Sequence, residues 1–160
     1  MPSLKYLGYT VALQEVPDEV SLVFNISGCP YKCEGCHSPY LWEDAGEPLL
    51  PNVERIVGEY SRLITCVCFM GGDQQIADIA CAMYWIRAKF GLKTCLYSGS
   101  DDLERLKVLA PVADYIKIGS YHKELGGLDS PATNQRMYKV EGCKGKYAYT
   151  DITSKFWRTV

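Results

Sequence analysis

Short apolar runs alternate with segments of helical periodicity through the middle of the chain. The strand-like runs lie at residues 20–27, 64–70, 93–97 and 113–119. Between them, apolar residues recur at a spacing of three or four, which predicts helices. We therefore expect strands and helices to alternate over residues 20–119, a pattern typical of right-handed βαβ units and a parallel sheet.

Three helices are predicted between these strands. Asn52 is a possible N-cap of the first helix, and Gly91 is well placed to end the second. Asp101 and Asp102 would lie in the first turn of the third helix, where they complement the helix dipole. The predicted helices cover residues 52–63, 76–90 and about 100–110.

The two ends of the chain carry weaker patterns. Residues 4–7 and 10–13 could be short strands or a lead-in segment. Residues 124–136 are predicted as a loop, followed by a last strand at 137–140. There are too few units for a closed eight-fold barrel, so the predicted fold is α/β: a partial, open βα barrel with a mainly parallel sheet, forming a single domain over residues 1–160.

Composition and charge exclude several classes of function. The 160 residues are 48% hydrophobic and 22% charged, with a formal net charge of −2. No basic footprint is present, so nucleic acid is not expected as a partner. Residues 1–19 lack a signal-peptide pattern, and no apolar run approaches the length of a membrane span. We expect a cytoplasmic protein with no membrane partner.

The eight cysteines bring in the chemistry. Because no export signal is seen, metal or redox chemistry is a better explanation for them than a disulfide framework. Cys29, Cys33 and Cys36 lie in a loop, residues 28–38, that follows the first predicted strand. Their Cys-x3-Cys-x2-Cys spacing offers three thiolates and no second pair nearby, whereas a closed structural zinc site needs four ligands. An iron–sulfur cube held by three thiolates would leave one iron open.

The other five cysteines are predicted to have no part in that site. Cys66, Cys68, Cys81 and Cys95 fall in predicted strands or a helix, so we expect small buried side chains. Cys143 lies in a turn that the pattern predicts to be exposed. No second cluster is assigned.

Several polar or glycine-rich segments follow the predicted strands, at the edge where parallel sheets bind ligands. Gly71-Gly72-Asp73 offers a close backbone approach and a carboxylate, although a capping turn is the alternative. Ser98 and Gly99 could line a ribose or begin a helix. Lys117 interrupts an apolar strand, which is costly unless the ammonium is exposed on an edge strand or paired, for example with a ligand carboxylate.

These motifs resemble those of the radical S-adenosylmethionine enzymes. The resemblance is carried by the cysteine motif, Gly71-Gly72-Asp73, Tyr97-Ser98-Gly99, the strand with Lys117, and residues 128–136. The short length and the Thr-Asn-Gln-Arg sequence of that last segment are similar to the activating proteins of anaerobic (class III) ribonucleoside-triphosphate reductases. Superfamily members often have Glu at the position of Asp73.

The resemblance implies a cofactor set and a reaction. Cys29, Cys33 and Cys36 would hold a 4Fe-4S cluster whose fourth iron binds S-adenosyl-L-methionine. Reductive cleavage of S-adenosyl-L-methionine would then generate a glycyl radical on the partner reductase. An electron donor such as flavodoxin or ferredoxin is expected, with a partner-facing loop and tail at about 120–160.

The resemblance also implies contacts to S-adenosyl-L-methionine. Asp73 would accept from the methionine ammonium and Lys117 would bind the carboxylate, while the backbone around His37 would face the adenine. The implied contact residues are Gly35, His37, Gly71, Gly72, Asp73, Ser98 and Lys117.

Other functions stay open on the residues alone. One is a small radical S-adenosylmethionine enzyme that acts on a small molecule, and another is a non-catalytic zinc-binding interaction module completed by His37. Adjacent ligands at Cys36 and His37 would struggle to reach one tetrahedral ion together. Asn134, Gln135 and Arg136 could dock the glycine loop of a partner or brace their own loop.

Overall fold

The computed structural model describes residues 3–157, which form one eight-stranded sheet covered by helices. The strands are β1 (Lys5–Ala12), β2 (Ser21–Ile26), β3 (Glu47–Pro48), β4 (Cys66–Met70), β5 (Lys93–Tyr97), β6 (Tyr115–Ile118), β7 (Arg136–Cys143) and β8 (Lys146–Asp151). The helices are α1 (Leu49–Tyr60), α2 (Ile76–Phe90) and α3 (Leu103–Leu106). The strand order is β3-β1-β2-β4-β5-β6-β7-β8, which leaves β3 and β8 at the edges.

The sheet is parallel in its centre and antiparallel at both margins. Strands β2, β4, β5 and β6 pair in parallel, in sequential order. The other four of the seven pairings within residues 3–157 are antiparallel. The mixed α/β class is therefore confirmed, but the prediction of a mainly parallel sheet is wrong, because both chain ends return as antiparallel strands. An open barrel is not confirmed.

The apolar runs are buried on both faces of the central strands. Leu22 and Phe24 of β2 pack in a core to which all three helices contribute side chains, and the Phe24 ring stacks on Phe69 of β4. Val23 points to the opposite face, where it joins a second cluster that includes Cys68 of β4. Burial on both faces explains why these strands read as continuous apolar runs instead of an alternating pattern.

The first two helices follow the predicted periodicity, with one different start. Helix α1 begins at Leu49, so the prediction that Asn52 is its N-cap is wrong. The Asn52 side chain instead donates from within the first turn to the carbonyl oxygen of Pro48, at 2.8 Å. Helix α2 matches its prediction, and Gly91 ends it with its N–H donated to the Arg87 carbonyl at 3.1 Å.

The third helix is shorter than predicted. Helix α3 spans four residues, and a 3₁₀ turn at Lys107–Leu109 follows it. Asp101 and Asp102 precede the helix, so their assignment to its first turn is wrong. The Asp101 carboxylate instead accepts from the Ser120 N–H at 3.1 Å, which ties the segment after β5 to the segment after β6.

The ends of the chain are more regular than the sequence predicts. Residues 4–7 and 10–13 merge into the single strand β1, which has an irregularity between Tyr6 and Tyr9. At the other end, β7 is twice as long as predicted and turns at Lys144-Gly145 into β8, which was not predicted. Residues 1–2 and 158–160 of the predicted domain and tail lie outside the described residues.

The burial of the remaining cysteines matches prediction at four of five positions. Cys66, Cys68 and Cys95 are buried and Cys143 is exposed, as predicted. The prediction for Cys81 is wrong, because it lies on the outward face of α2, where its side chain is exposed.

In the described part of the chain, no helix combines the length and apolar character that crossing a membrane requires.

The β7–β8 hairpin gives a test of this fold. Gly142 has φ +140°, and a Cβ built there would lie 2.0 Å from the Lys146 carbonyl oxygen on the paired strand. We expect Gly142→Ala to lower the free energy of unfolding by about 2–4 kcal/mol, because backbone must move. The measurement is urea unfolding followed by circular dichroism.

Gly145→Ala is the matched control in the same hairpin. Gly145 also has a positive φ, of +80°, but nothing lies within 4 Å of a Cβ at that position. Gly145→Ala should lower the free energy of unfolding by only about 1 kcal/mol, the cost of the left-handed conformation. Equal losses for the two variants would contradict the pairing of β7 with β8.

Candidate functional site

The cysteine loop is closed by the chain returning beside it. The Gly28 N–H donates to the Glu43 carbonyl at 3.1 Å, and the Cys29 N–H donates to the Leu41 carbonyl at 2.9 Å. Within the loop, the Cys36 N–H donates to the Cys33 carbonyl at 3.1 Å. All three thiols of the loop are half-buried and free. The loop is therefore held at the carboxyl end of β2 by backbone hydrogen bonds, without a disulfide.

A cavity of about 130 Å³ lies beside this loop, and we call it the cysteine cavity. It is reached by residues from the carboxyl ends of β2, β4, β5 and β6, which meet at one edge because these strands are parallel. Predicted site residues that line it are Cys29, Cys36, Gly71, Asp73, Ser98 and Lys117.

A second, larger cavity of about 1180 Å³ adjoins the first, and we call it the outer cavity. Cys36, Ser38, Tyr97 and Lys117 line both cavities, so the two are neighbours across these side chains. His37 lines the outer cavity and does not line the cysteine cavity.

Asp73 is the buried acceptor of a hydrogen-bond network at the cysteine cavity. Its side chain is 2% exposed. Oδ2 accepts from the Tyr31 hydroxyl at 2.6 Å, from the Ser98 hydroxyl at 2.8 Å and from the Arg105 guanidinium. No hydrogen bond to Oδ1 is found within residues 3–157. The capping alternative for Asp73 is wrong, since its side chain caps no helix.

Arg105 and Tyr31 complete this network, and sequence reasoning missed both. Arg105 also donates to the Asp73 carbonyl at 3.2 Å and to the Tyr31 hydroxyl oxygen at 3.0 Å. The hydrogen bond to Asp73 raises the pKa of Arg105 above its ordinary value, and burial raises the pKa of Tyr31. A buried carboxylate demands a cationic partner, but the spacing along the chain does not indicate which cation supplies it.

Lys117 is buried on an interior strand. Strand β6 lies between β5 and β7, so the alternative that Lys117 is exposed on an edge strand is wrong. Its ammonium donates to the carbonyls of Ser98 at 3.1 Å and Gly119 at 2.8 Å. Burial lowers the pKa of Lys117 to about 8, against the opposing effect of nearby acidic groups such as Cys33. A negatively charged ligand group bound beside Lys117 would therefore raise this pKa and favour the protonated ammonium.

Ser98 and Gly99 shape the floor of the cysteine cavity. The Ser98 hydroxyl donates to Asp73 and accepts from the Ser100 N–H at 2.9 Å, and it does not cap α3. A Cβ at Gly99 would lie 2.7 Å from the Tyr31 ring, so the glycine lets the cysteine loop approach β5.

The backbone conformation of the turn after β4 requires glycine at both of its positions. Gly71 and Gly72 have φ of +100° and +108°, which other residues rarely adopt. A Cβ at Gly72 would also lie 2.6 Å from Ile79 of α2. The turn therefore places the Gly71 backbone at the cavity edge, while Gly72 allows the turn to pack closely against α2.

Gly35 and His37 lie on the outer side of the cysteine loop and are exposed. The His37 ring is 5.6 Å from the Tyr121 ring, and a Cβ at Gly35 would lie 3.4 Å from the same tyrosine. Gly35 lines neither of the two cavities described above.

The Thr-Asn-Gln-Arg segment makes contacts within its own fold. Asn134 donates to the Ser120 carbonyl at 3.0 Å, and Gln135 donates to the Gly119 carbonyl at 3.4 Å. Arg136 belongs to β7 and lies 3.8 Å from Asp151. Asn134 and Gln135 therefore brace the loop after β6, Arg136 pairs with β8, and Gln135 also lines the outer cavity.

The donor set fits an iron–sulfur cluster better than a single metal ion. Within residues 3–157, no three His, Cys, Asp or Glu side chains are arranged to hold one ion, so the zinc alternative gains no support. Thiolates on different irons of a cube need not converge on one point. The Ser38 N–H already donates to the Cys36 sulfur at 3.3 Å, and the buried indole Nε1 of Trp42 has no hydrogen-bond partner in the described part of the chain. Cluster sulfurs accept such donors.

Comparisons with known proteins agree with this chemistry. A family model described as a 4Fe-4S single cluster domain matches residues 19–124, which include the cysteine loop, Asp73, Ser98 and Lys117. The anaerobic ribonucleoside-triphosphate reductase-activating protein of Enterobacteria phage T4 is 30% identical over 129 residues, covering 73% of this chain and 82% of that protein. No solved structure matches the chain.

The Asp73 network gives a second test. We expect Arg105→Met to lower the free energy of unfolding at pH 7 by about 1–3 kcal/mol, because it leaves a buried carboxylate without its cation. Arg55→Met is the matched control, since Arg55 makes exposed contacts with Glu59 and Asn52, and its substitution should cost about 0.5 kcal/mol or less. Both losses are measured by urea unfolding at pH 7. Similar losses would show that the Arg105 contact contributes no more than a surface pair.

Proposed function

The chain belongs to the 4Fe-4S single cluster domain family and to the activating proteins of anaerobic ribonucleoside-triphosphate reductases, and from that premise we propose how its residues bind S-adenosyl-L-methionine and activate the reductase. It is an iron–sulfur activating enzyme, a radical S-adenosylmethionine oxidoreductase. The proposal concerns the ligands of the cluster, the contacts to the cosubstrate and the way the partner enters.

We assign the three iron ligands to Cys29, Cys33 and Cys36. This assignment is supported by the state of the three thiols, which are free and half-buried on one loop. Backbone hydrogen bonds hold that loop at the sheet edge. Three thiolates leave one iron of the cube for the amino and carboxylate groups of the cosubstrate. When bound, the cluster supplies the electron that splits the bond between the sulfonium and the 5′ carbon.

Two buried charges of opposite sign support binding of the methionine part at the cysteine cavity, and this observation carries the proposal. Asp73 receives three donors on Oδ2, and its Oδ1 accepts an N–H of the methionine amino group. Lys117 turns its ammonium from two carbonyls toward the methionine carboxylate. The backbone at Gly71 and Gly72 approaches the same group. The amino and carboxylate groups thus meet an acceptor and a cation that are both buried in a site of low dielectric.

The nucleoside part extends from the cysteine cavity into the outer cavity. Ser98 and Gly99 lie against the ribose, while His37 lies beside the adenine in the outer cavity and the backbone at Gly35 turns the loop toward it. The outer cavity, at about 1180 Å³, is larger than the roughly 300–1,000 Å³ of a typical small-molecule pocket. We propose that the remaining room admits a segment of the reductase that carries the target glycine.

The remaining steps of the proposed function involve the partner reductase and an electron donor. The 5′-deoxyadenosyl radical released with methionine would take a hydrogen atom from the α-carbon of that glycine, which gives 5′-deoxyadenosine and leaves a glycyl radical on the reductase. Residues about 120–160 face the reductase, and an electron donor such as flavodoxin or ferredoxin reduces the cluster. A cytoplasmic location and a single domain over residues 1–160 belong to the same proposal.

We also propose that the sheet curves as a partial barrel. The four parallel strands follow one another in sequential order, and the buried residues of all three helices belong to the core on one face. Sequential parallel strands with helices on one face are the arrangement of βα barrels.

The function is tested on protein purified without oxygen and assayed for iron, sulfide and zinc. With dithionite and S-adenosyl-L-methionine it should release 5′-deoxyadenosine, and a glycyl doublet should appear in the paramagnetic resonance spectrum when a cognate reductase is added. Cys36→Ser should abolish cleavage, whereas Cys143→Ser, which changes an exposed thiol of the β7–β8 hairpin, should retain it. Retained cleavage in Cys36→Ser would remove Cys36 from the ligand set.

The charge on Lys117 predicts a pH dependence for binding. Protonated Lys117 holds the carboxylate, and its pKa in the free protein is about 8. The dissociation constant for S-adenosyl-L-methionine should therefore rise as pH increases above 8, by up to about tenfold per pH unit. Anaerobic calorimetry between pH 6.5 and 9.5 measures it.

Lys117→Met separates this effect from the titration of the ligand itself. The variant should bind more weakly at pH 7 and should lose the rise in the dissociation constant above pH 8, because the ligand's amino group binds iron in its deprotonated form and therefore does not weaken binding at high pH. A pH profile identical in slope to that of the unchanged protein would contradict the role assigned to Lys117.

A further inference from the structure

The three tryptophans of the chain differ in what their indole N–H groups contact. Trp157 donates to the Leu128 carbonyl at 3.0 Å. Trp85 is 53% exposed on α2. The Nε1 of Trp42 is buried and has no acceptor within residues 3–157. A buried donor without a partner costs about 1–3 kcal/mol, so a donor of this kind usually has an acceptor that is missing from the protein alone.

Trp42 is fixed beside the first cysteine of the loop. It ends a 3₁₀ turn, Pro39–Trp42, in the segment that returns along the cysteine loop. Its neighbours Leu41 and Glu43 accept from the N–H groups of Cys29 and Gly28. Trp42 lines the cysteine cavity together with Cys29 and Cys36. The indole is therefore held against the space where the cluster is bound.

Several oxygen acceptors around this cavity are already engaged. Oδ2 of Asp73 receives three donors. The carbonyls of Ser27 and Gly28 accept from the Gln74 side chain at 3.0 and 3.2 Å, and the Ser98 carbonyl accepts from Lys117. The Trp42 Nε1 bonds to none of the oxygens of the described residues, and the acceptors that a cluster bound by Cys29 and Cys36 would add to this cavity are sulfurs.

We propose that the Trp42 indole N–H donates a hydrogen bond to a sulfur of the bound cluster, either a cysteine thiolate or an inorganic sulfide. The inference rests on the cysteine ligand set of the proposed function. With the Ser38 N–H on Cys36, it gives the cluster two N–H donors on the side of the returning segment. Reduction makes the sulfurs more negative, so a donor stabilises the reduced cluster more than the oxidised one. Trp42 therefore raises the reduction potential and makes the cluster easier to reduce.

The test compares Trp42→Phe with Trp85→Phe in reconstituted protein without S-adenosyl-L-methionine. Redox titration, followed by paramagnetic resonance, should show that Trp42→Phe lowers the ratio of reduced to oxidised cluster at a fixed potential about three- to tenfold, where tenfold corresponds to about 59 mV for one electron. Trp85→Phe should leave the ratio unchanged. An unchanged ratio in Trp42→Phe would overturn the proposal.

A second measurement needs no substitution at the site. In protein that contains ¹⁵N-labelled tryptophan, pulsed paramagnetic resonance of the reduced cluster should detect one coupled indole nitrogen, and Trp85→Phe should retain the coupling. No coupling, or a coupling that appears only after S-adenosyl-L-methionine is added, would overturn the assignment of sulfur as the acceptor. Protein that takes up no cluster at all would instead overturn the ligand set on which the inference rests.

Discussion

The parallel, in-register pairing of β2, β4, β5 and β6 is the constraint on which the site depends. Parallel strands place their carboxyl ends at one edge, so the loops that follow them meet without any direct link in sequence. The cysteine loop after β2 comes to lie against the turn after β4 and the segment after β5. Burial of these strands on both faces fixes their register, because a slip of one residue would exchange the two faces.

Two buried charges at that edge impose a cost that the rest of the site offsets. Asp73 is compensated by a guanidinium and two hydroxyls, and Lys117 by two carbonyls. Neither arrangement is a direct pair between the two residues, and the lowered pKa of Lys117 indicates that its compensation is incomplete. A zwitterionic ligand would relieve both charges at once, so stability given up in the free protein would return as binding energy.

The sequence predicts the centre of this protein better than its margins or its side-chain network. The apolar runs of β4 and β5 and the periodicity of α2 predict those elements, because burial determines both pattern and structure. Strand β8 has only half-buried tyrosines between exposed residues, so its pairing with β7 is a tertiary effect that a local pattern does not reveal. The cysteine motif and Gly72 are local signals. Arg105 reaches Asp73 across 32 positions of the chain, and no local pattern indicates that contact.

The central claim is that three thiolates leave one iron of the cluster to the cosubstrate. Mössbauer spectroscopy of protein reconstituted with ⁵⁷Fe tests it most directly, because each iron contributes separately to the spectrum. Addition of S-adenosyl-L-methionine should change the signal of about one quarter of the iron and leave the rest as it was. A spectrum that saturating S-adenosyl-L-methionine does not alter would contradict the claim.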